Sequence, residues 1–375
     1  IAMANYLGDK PVGQYARHWF NIVKPPLGSY IKSIDKGGKE LSFGSLPLDY
    51  YAPGSIKSFY LRNKWDPSAT VINLHLGYIV GASHSHLDSG TFQIQRGDKW
   101  LSRETVGYTQ NIAGYYAGTV AGTTHTIAHN GIVFNGKGLA NAYRDGTSKV
   151  TRLESRENYA YAAVDLSQAY RAHKSNFPER DDNPYVSHAE REFVFVRPLE
   201  TLIVFDRLES SSEKIPAEEV TKTFITHFEL QPKLEGNSVL GINGNHALRL
   251  FTLLPSNPVL RLVNEKDFPS STSALHYQYR LEVDTKGERQ SYFLNVLQAK
   301  GIDEADVKAQ LSEQAGTYTL TLEHPIKGRA SIVFNKGMIS NGGSFGYAQS
   351  GTPVLTAFIN GIQGIDVTDN GPVWG

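Results

Sequence analysis

Apolar and polar positions alternate along most of the chain. Ser58-Phe59-Tyr60-Leu61-Arg62 and Ala69-Thr70-Val71-Ile72-Asn73-Leu74 are short runs rich in β-branched and aromatic residues, which predicts strands. Thr91-Phe92-Gln93-Ile94-Gln95 alternates, Arg96-Gly97-Asp98-Lys99 supplies turn chemistry, and Trp100-Leu101-Ser102 returns, so a hairpin is expected there. A second hairpin is expected from 191–196 and 201–206, which flank Arg197-Pro198-Leu199-Glu200. Further strands are expected at 222–230, 247–254, 259–264, 276–283, 291–298, 317–323, 329–334 and 353–359.

Helical spacing is confined to two places. Ala2, Met3, Tyr6 and Leu7, then Tyr15, Ala16, Trp19 and Phe20, follow a helical period that Gly8 and Pro11 interrupt and Pro25-Pro26 ends. A weaker helical character covers 303–314. The first fifty or so residues hold too little helix to bury a core of their own, so they read as the end of a larger helical domain. The expected class is mainly β: a large antiparallel β-sandwich with a short helical N-terminal remnant and a smaller C-terminal β domain. The expected boundaries are 1–55, 56–300 and 301–375. No fixed-period repeat is visible, which disfavours a propeller or solenoid.

Composition narrows the function classes. Lys plus Arg and Asp plus Glu are each 37, so the formal charge is zero, which argues against a nucleic-acid binder. A locally basic cleft for an acidic substrate remains compatible with that balance. There are no cysteines, so disulfides and thiolate metal sites are excluded and any metal must use His, Asp, Glu or water. With 20 Tyr, 17 Phe and 4 Trp, the chain has ample flat side chains for a sugar cleft, and equally for a β-rich core. No apolar run approaches the roughly 18 residues of a membrane span. The sequence starts without Met or a signal peptide, from which a carboxyl-terminal portion of a longer enzyme is expected.

The chemistry concentrates in Gly81-Ala82-Ser83-His84-Ser85-His86-Leu87-Asp88-Ser89-Gly90-Thr91-Phe92. In an extended strand, His84, His86 and Asp88 would share one face. Paired imidazoles on one face suit a divalent metal such as zinc, although a lone His-x-His is more often structural. Glu104 follows the hairpin that His86 leads into, and a hairpin return can bring a carboxylate back beside the strand it left. His129 stands in Thr123-Thr124-His125-Thr126-Ile127-Ala128-His129-Asn130-Gly131-Ile132-Val133, which reads as another strand. His86, Glu104 and His129 would form a two-imidazole, one-carboxylate set, with His125 as a rival third ligand.

The pattern His-x-His-x-Asp-x-Gly-x-Phe, a hairpin carrying Trp-Leu, an acidic residue, several Tyr and then His-Asn before an apolar strand resembles the sandwich domain of heparinase II/III-like polysaccharide lyases. The likeness is densest over 58–140 and looser to about 300. It implies a supersandwich fold that is completed by an N-terminal α/α toroid domain or fragment. It implies zinc on His86, Glu104 and His129, and His84 lining the catalytic cleft. Family members commonly carry Asp at the acidic position and Thr after His-Asn, where this chain has Glu104 and Gly131. The implied reaction is β-elimination on an acidic, uronate-containing polysaccharide such as alginate or a glycosaminoglycan, and a secreted or periplasmic setting. Tyr108, Tyr115 and Tyr116 fall in the loop from which the family draws substrate contacts. Arg62, with Arg96 and Arg103, is a guanidinium candidate for the uronate. The alternatives are a uronyl C5-epimerase of the same fold and a non-catalytic carbohydrate-binding sandwich. A glycoside hydrolase is weaker, because no carboxylate pair stands at a plausible spacing.

Overall fold

The computed structural model describes residues 2–24, 26, 28, 33–53, 57–77, 86–107, 124–140, 148–171, 182–267, 274–276, 278–349 and 355–358. The chain divides into two units, 1–48 with 64–66 and 49–63 with 67–375.

The smaller unit carries α1 (Ala2–Tyr6) and α2 (Pro11–Val23). Proline at the first turn of α2 costs no hydrogen bond, and the helix stops at Lys24, which takes the left-handed conformation at φ 45° just before the two prolines. A Cβ at Gly13 would stand 1.9 Å from the Leu7 carbonyl oxygen, so the two helices meet only because position 13 is glycine. Buried Arg17 ties them to the following segment. It donates to Asp35 Oδ1 at 2.5 Å, and to Asn5 Oδ1 and the Gly37 carbonyl at 3.0 Å each. Met3, Tyr6, Val12, Trp19, Ile22 and Val23 remain exposed.

The larger unit is built from antiparallel sheets. β1 (Asp49–Ala52), β2 (Ser58–Arg62), β3 (Thr70–His75), β4 (Thr91–Arg96) and β5 (Lys99–Ser102) form a five-stranded sheet in that order. β6 (Val106–Gly107) and β7 (Ile132–Phe134) come next, then β8 (Lys149–Ser155), β9 (Tyr159–Asp165), β10 (Val186–Val196), β11 (Thr201–Ser210) and β12 (Lys222–Phe228). They are followed by β13 (Lys233–Glu235), β14 (Ser238–Asn243), β15 (His246–Leu254), β16 (Val259–Asn264), β17 (Ala274–His276), β18 (Tyr279–Thr285) and β19 (Gln290–Gly301). An eight-stranded sheet runs β13-β14-β15-β19-β11-β10-β9-β8, a four-stranded sheet runs β16-β18-β12-β7, and β17 pairs with β6. The last sheet runs in chain order through β20 (Lys308–Gln314), β21 (Thr317–His324), β22 (Gly328–Asn335), β23 (Ser344–Ala348) and β24 (Leu355–Phe358).

The eight-stranded sheet is a middle layer, and strand parity shows why. Phe193, Phe195, Leu202 and Val204 point into one core with Phe59, Ile72, Phe224 and Leu281 of the five- and four-stranded sheets. Their neighbours Val194, Val196, Ile203 and Phe205 point the other way, into a second core with Leu320, Ile332, Phe334 and Phe345 of the last sheet. A strand covered on both faces reads as a continuous apolar run, which is what β10 and β11 show.

Most expected strands appear, including both hairpins, and the chain is mainly β as its pattern implied. Two local expectations are corrected. The helical character at 303–314 gives way to strand β20, because Ala309 and Leu311 alternate onto the second core while β20 pairs with β21. The strand expected across His125 and His129 is instead a short 3-10 turn, Thr126–Ala128, flanked by those two histidines, and strand structure resumes only at Ile132.

Candidate metal centre

One cluster of histidines and carboxylates gathers beside the end of the five-stranded sheet. Register places His75, the last residue of β3, opposite Thr91, the first of β4. At the turn formed by Ser89 and Gly90, which leads into β4, the Gly90 amide donates to the His75 carbonyl at 2.7 Å and the Ser89 hydroxyl to the Leu76 carbonyl at 3.0 Å. Gly90 has φ 79°, and a Cβ there would lie 2.7 Å from Leu166 Cδ1, so only glycine fits. The turn is tied to the loop carrying His129. The Leu87 amide donates to the Thr124 carbonyl at 2.8 Å, and the Thr126 hydroxyl to the Leu87 carbonyl at 2.9 Å.

These constraints bring the expected residues together, though His86 and Asp88 lie in irregular backbone rather than on a strand face. One ligand atom each from His86, Asp88 and His129 fall within 4.8 Å of one another. The His86 and His129 rings lie 5.1 Å apart. Glu104 reaches the same place from beyond β5, with Oε2 3.1 Å from His129 Nδ1. His75, which sequence reasoning did not single out, contacts Asp88 Oδ2 through Nδ1 at 3.0 Å. Only sheet register puts it there. His125, the rival ligand, stands at the N-terminal end of the 3-10 turn and is not in the gathered set.

The electrostatics follow from burial and proximity. Burial pushes the Glu104 carboxyl up, but the charge and hydrogen bond of His129, helped by a hydrogen bond from Thr91, outweigh it and hold the group at about 2. Burial and the neighbouring His129 press the His86 imidazole below its ordinary value. Burial acts the same way on His75, but its hydrogen bond to Asp88 overcomes it and leaves that imidazole raised.

Two imidazoles and a carboxylate are a donor set that zinc accepts, and the spacing leaves room for one ion. With Glu104 seated on Nδ1, an ion held by His129 would take Nε2. A carboxylate on the far nitrogen of a ligating imidazole fixes its tautomer and orientation. The residues present therefore fit a zinc ion.

Behind the cluster, Asn130 uses every hydrogen-bonding group it has. Its amide donates to Thr91 Oγ1 at 3.0 Å, and Nδ2 donates to the Phe92 carbonyl at 2.6 Å and Ser102 Oγ at 2.9 Å. Oδ1 accepts from the His227 amide at 2.8 Å and from His227 Nδ1 at 2.9 Å. The carbonyl accepts from Arg191 Nη1 at 2.8 Å. Further in, the hydrogen bond from His227 and the charges of His227 and Arg280 hold the Glu265 carboxyl at about 2, against the upward push of its burial. A carboxyl depressed in the fold contributes stability that is present above its ordinary value and withdrawn as pH falls. Thermal stability is accordingly expected to drop between pH 4.5 and about 2. A Glu265→Gln variant should show a flatter profile in that window, and an unchanged acid limb would count against the assignment.

The other candidates are placed as follows. His84, Tyr108, Tyr115 and Tyr116 lie outside the described residues. Arg62 pairs with Val71 while His75 pairs with Ser58, so Arg62 stands at the opposite end of β2 from the cluster. Arg96 is engaged by Glu200 and Glu304 at 3.0 Å each, and Arg103 by Glu229 at 2.8 Å.

Solved structures show what this arrangement is similar to. A heparan sulfate lyase, HepC from Pedobacter heparinus, superposes with a TM-score of 0.58 at 13% identity over 89% of this chain and 48% of its own. The fold is that of the heparinase-like polysaccharide lyases. A heparinase III matches with a TM-score of 0.56 at 14% identity over 85% of this chain and 47% of its own. Another heparinase III structure gives 0.54 at 11% identity over 80% and 43%. The chain thus spans about half the length of these solved lyases. No protein-family model and no curated protein matches it by sequence. Among the described residues, no helix is long and apolar enough to cross a membrane.

Proposed function

We propose that this chain is the β-sandwich part of a polysaccharide lyase that acts by β-elimination on a uronate-containing glycosaminoglycan. The observation that carries this reading is the heparinase-like fold over 89% of the chain, with a histidine–carboxylate centre whose His86 follows His84 by two residues in sequence. Heparan-type polymers come first among substrates because the structural neighbours are named heparan sulfate lyase and heparinase. Alginate is the second choice.

The reaction removes the proton at C5, α to the uronate carboxylate. The electron pair forms the C4–C5 double bond, the bond from C4 to the glycosidic oxygen breaks, and an acid protonates the leaving oxygen. C5–H is weakly acidic until the carboxylate charge is neutralised, so the site needs donors to that carboxylate, a base and an acid. His84 is proposed to line the cleft as a carboxylate partner or base. Zinc on His86 and His129, with Asp88 closing the gathered set and Glu104 backing His129, would brace the segment that presents His84. The remaining acid and carboxylate donor are proposed to come from a helical toroid partner. The exposed apolar side chains of α1 and α2, Trp19 and Ile22 among them, give such helices a surface to pack on.

The test is an absorbance assay for unsaturated uronates on heparan sulfate, chondroitin sulfate, hyaluronan and alginate. It is run with the chain alone and with the chain joined to a helical toroid. Activity is expected only in the joined form, with heparan sulfate preferred, and His84→Ala should cut turnover at least about 100-fold. Robust activity of the chain alone would overturn the shared-site reading. Uronate inversion without unsaturated product would replace the lyase by an epimerase.

A further inference from the structure

Two residues that directly follow side chains of the metal centre are anchored to one buried carboxylate. Thr105 follows Glu104, and its hydroxyl donates to Glu265 Oε2. Asn130 follows His129 and accepts from His227 Nδ1 at 2.9 Å, while His227 Nε2 lies 3.3 Å from Glu265 Oε1. Thr105, Asn130, His227 and Glu265 are each no more than 1% exposed. Glu265 is itself fixed, by Arg280 Nη1 at 3.0 Å on Oε1 and by the Gln278 amide at 3.3 Å on Oε2. The backbone repeats the clamp, because β17, which follows Glu265, pairs with β6 immediately after Thr105.

We infer that Glu265 is a positioning residue of the metal centre, setting the spacing of Glu104 and His129 through Thr105 on one side and His227–Asn130 on the other. The functional meaning rests on the proposed metal site; the positioning itself does not. A carboxylate can accept from four donors, and Glu265 accepts from the Thr105 hydroxyl, the Gln278 amide and Arg280 Nη1, with His227 Nε2 beside Oε1 at 3.3 Å. A glutamine there would aim its own N–H groups at two of them. Strands β12, β16 and β18 remain paired by their own backbone ladders, so the loss falls on the loops carrying Glu104 and His129. Glu265 is 160 residues from Thr105 and 38 from His227 in sequence, so the link exists only in the folded chain.

Glu265→Gln and the milder Thr105→Val would be compared with wild type. Glu200→Gln serves as control, since Glu200 is a buried carboxylate held by Arg96 and Lys327 elsewhere in the sheets. Zinc affinity is read by competition with a chromophoric chelator, geometry by the visible spectrum of the cobalt-loaded protein, and loop order by amide hydrogen exchange. Glu265→Gln should weaken zinc about 10–100-fold and shift the cobalt bands, with Thr105→Val moving the same way by less. The Thr105 and Asn130 amides, which donate to the Ala128 carbonyl and Thr91 Oγ1, should exchange at least about tenfold faster while β10 and β11 do not change. Glu200→Gln should lose stability and keep wild-type zinc affinity. If Glu265→Gln and Thr105→Val match the control in affinity, spectrum and these two amides, the inference is overturned. If wild type binds neither zinc nor cobalt, the metal reading fails and the amides alone decide: faster local exchange upholds the positioning, no change ends it. If Glu265→Gln does not fold, Thr105→Val carries the same criteria.

Discussion

An Asp206→Ala variant is expected to lose about 3–5 kcal/mol of unfolding free energy, measured by urea denaturation. Asp206 and Arg191 are cross-strand partners on β11 and β10, inside the sandwich. The guanidinium donates from Nε to Oδ1 at 2.6 Å and from Nη2 to Oδ2 at 3.2 Å, and both side chains are almost fully buried. Removing the carboxylate leaves an uncompensated cation between apolar neighbours, with the Phe224 ring 5.5 Å away. The cost should reach the candidate metal centre too, because Arg191 Nη1 also donates to the Gly90 carbonyl at 2.7 Å and the Asn130 carbonyl at 2.8 Å. A double variant, Arg191→Met with Asp206→Leu, should regain most of the stability, since apolar pairs often replace buried ion pairs at little cost. It should not regain an ordered centre, because both carbonyl anchors are gone. A single variant that loses less than about 1 kcal/mol would show that the pair is more hydrated than its burial implies.

Removal of the zinc proposed for this site is the second large expected effect. An ion that binds only the folded chain stabilises it by about 4 kcal/mol at a free concentration near 1,000 times its Kd. Thermal unfolding with excess zinc and with a chelator should therefore differ by several degrees. His86→Ala and His129→Ala should abolish both that difference and the bound metal. Asp88→Asn should behave like them if Asp88 closes the set, whereas Glu104→Gln should retain zinc with affinity reduced about 10–100-fold. The reverse result would make Glu104 the ligand and Asp88 the outer carboxylate. A melting point indifferent to zinc in wild type would remove the metal from this site.

What was legible in the sequence was whatever depends on near neighbours. The hairpin of β4 and β5 follows from the alternation of β4 and the turn chemistry of Arg96-Gly97-Asp98-Lys99, and the turn sets the register as far as Gln95 opposite Trp100, beyond which it shifts. The runs at 191–196 and 201–206 showed as strands because a strand buried on both faces carries apolar residues without a break. His86 of the His-x-His segment, Glu104 and His129 of His-Asn stood out in the sequence by residue type, and the fold brings these three together. Lys308–Gln314 was misread because Ala, Gln, Leu and Glu are good helix formers, and the alternation of Ala309 and Leu311 counts only once a second core exists to receive them.

The remainder was decided by tertiary structure. Strand parity explained neither His86 and Asp88, which sit in irregular backbone, nor His129, which closes a 3-10 turn. They meet because Leu87, Thr124 and Thr126 lace two loops together. His75 reaches Asp88 only through the pairing of β3 with β4, and Glu265 reaches Thr105 and His227 only through the packing of three separate segments. Local propensity acts over a few residues, whereas a buried polar group must find its partner wherever the fold places one. The sequence alone therefore determined a β-rich chain with a histidine–carboxylate centre. Which side chains gather, and what holds them in place, were determined by contacts between residues distant in the chain, where burial makes each unpaired donor or acceptor costly.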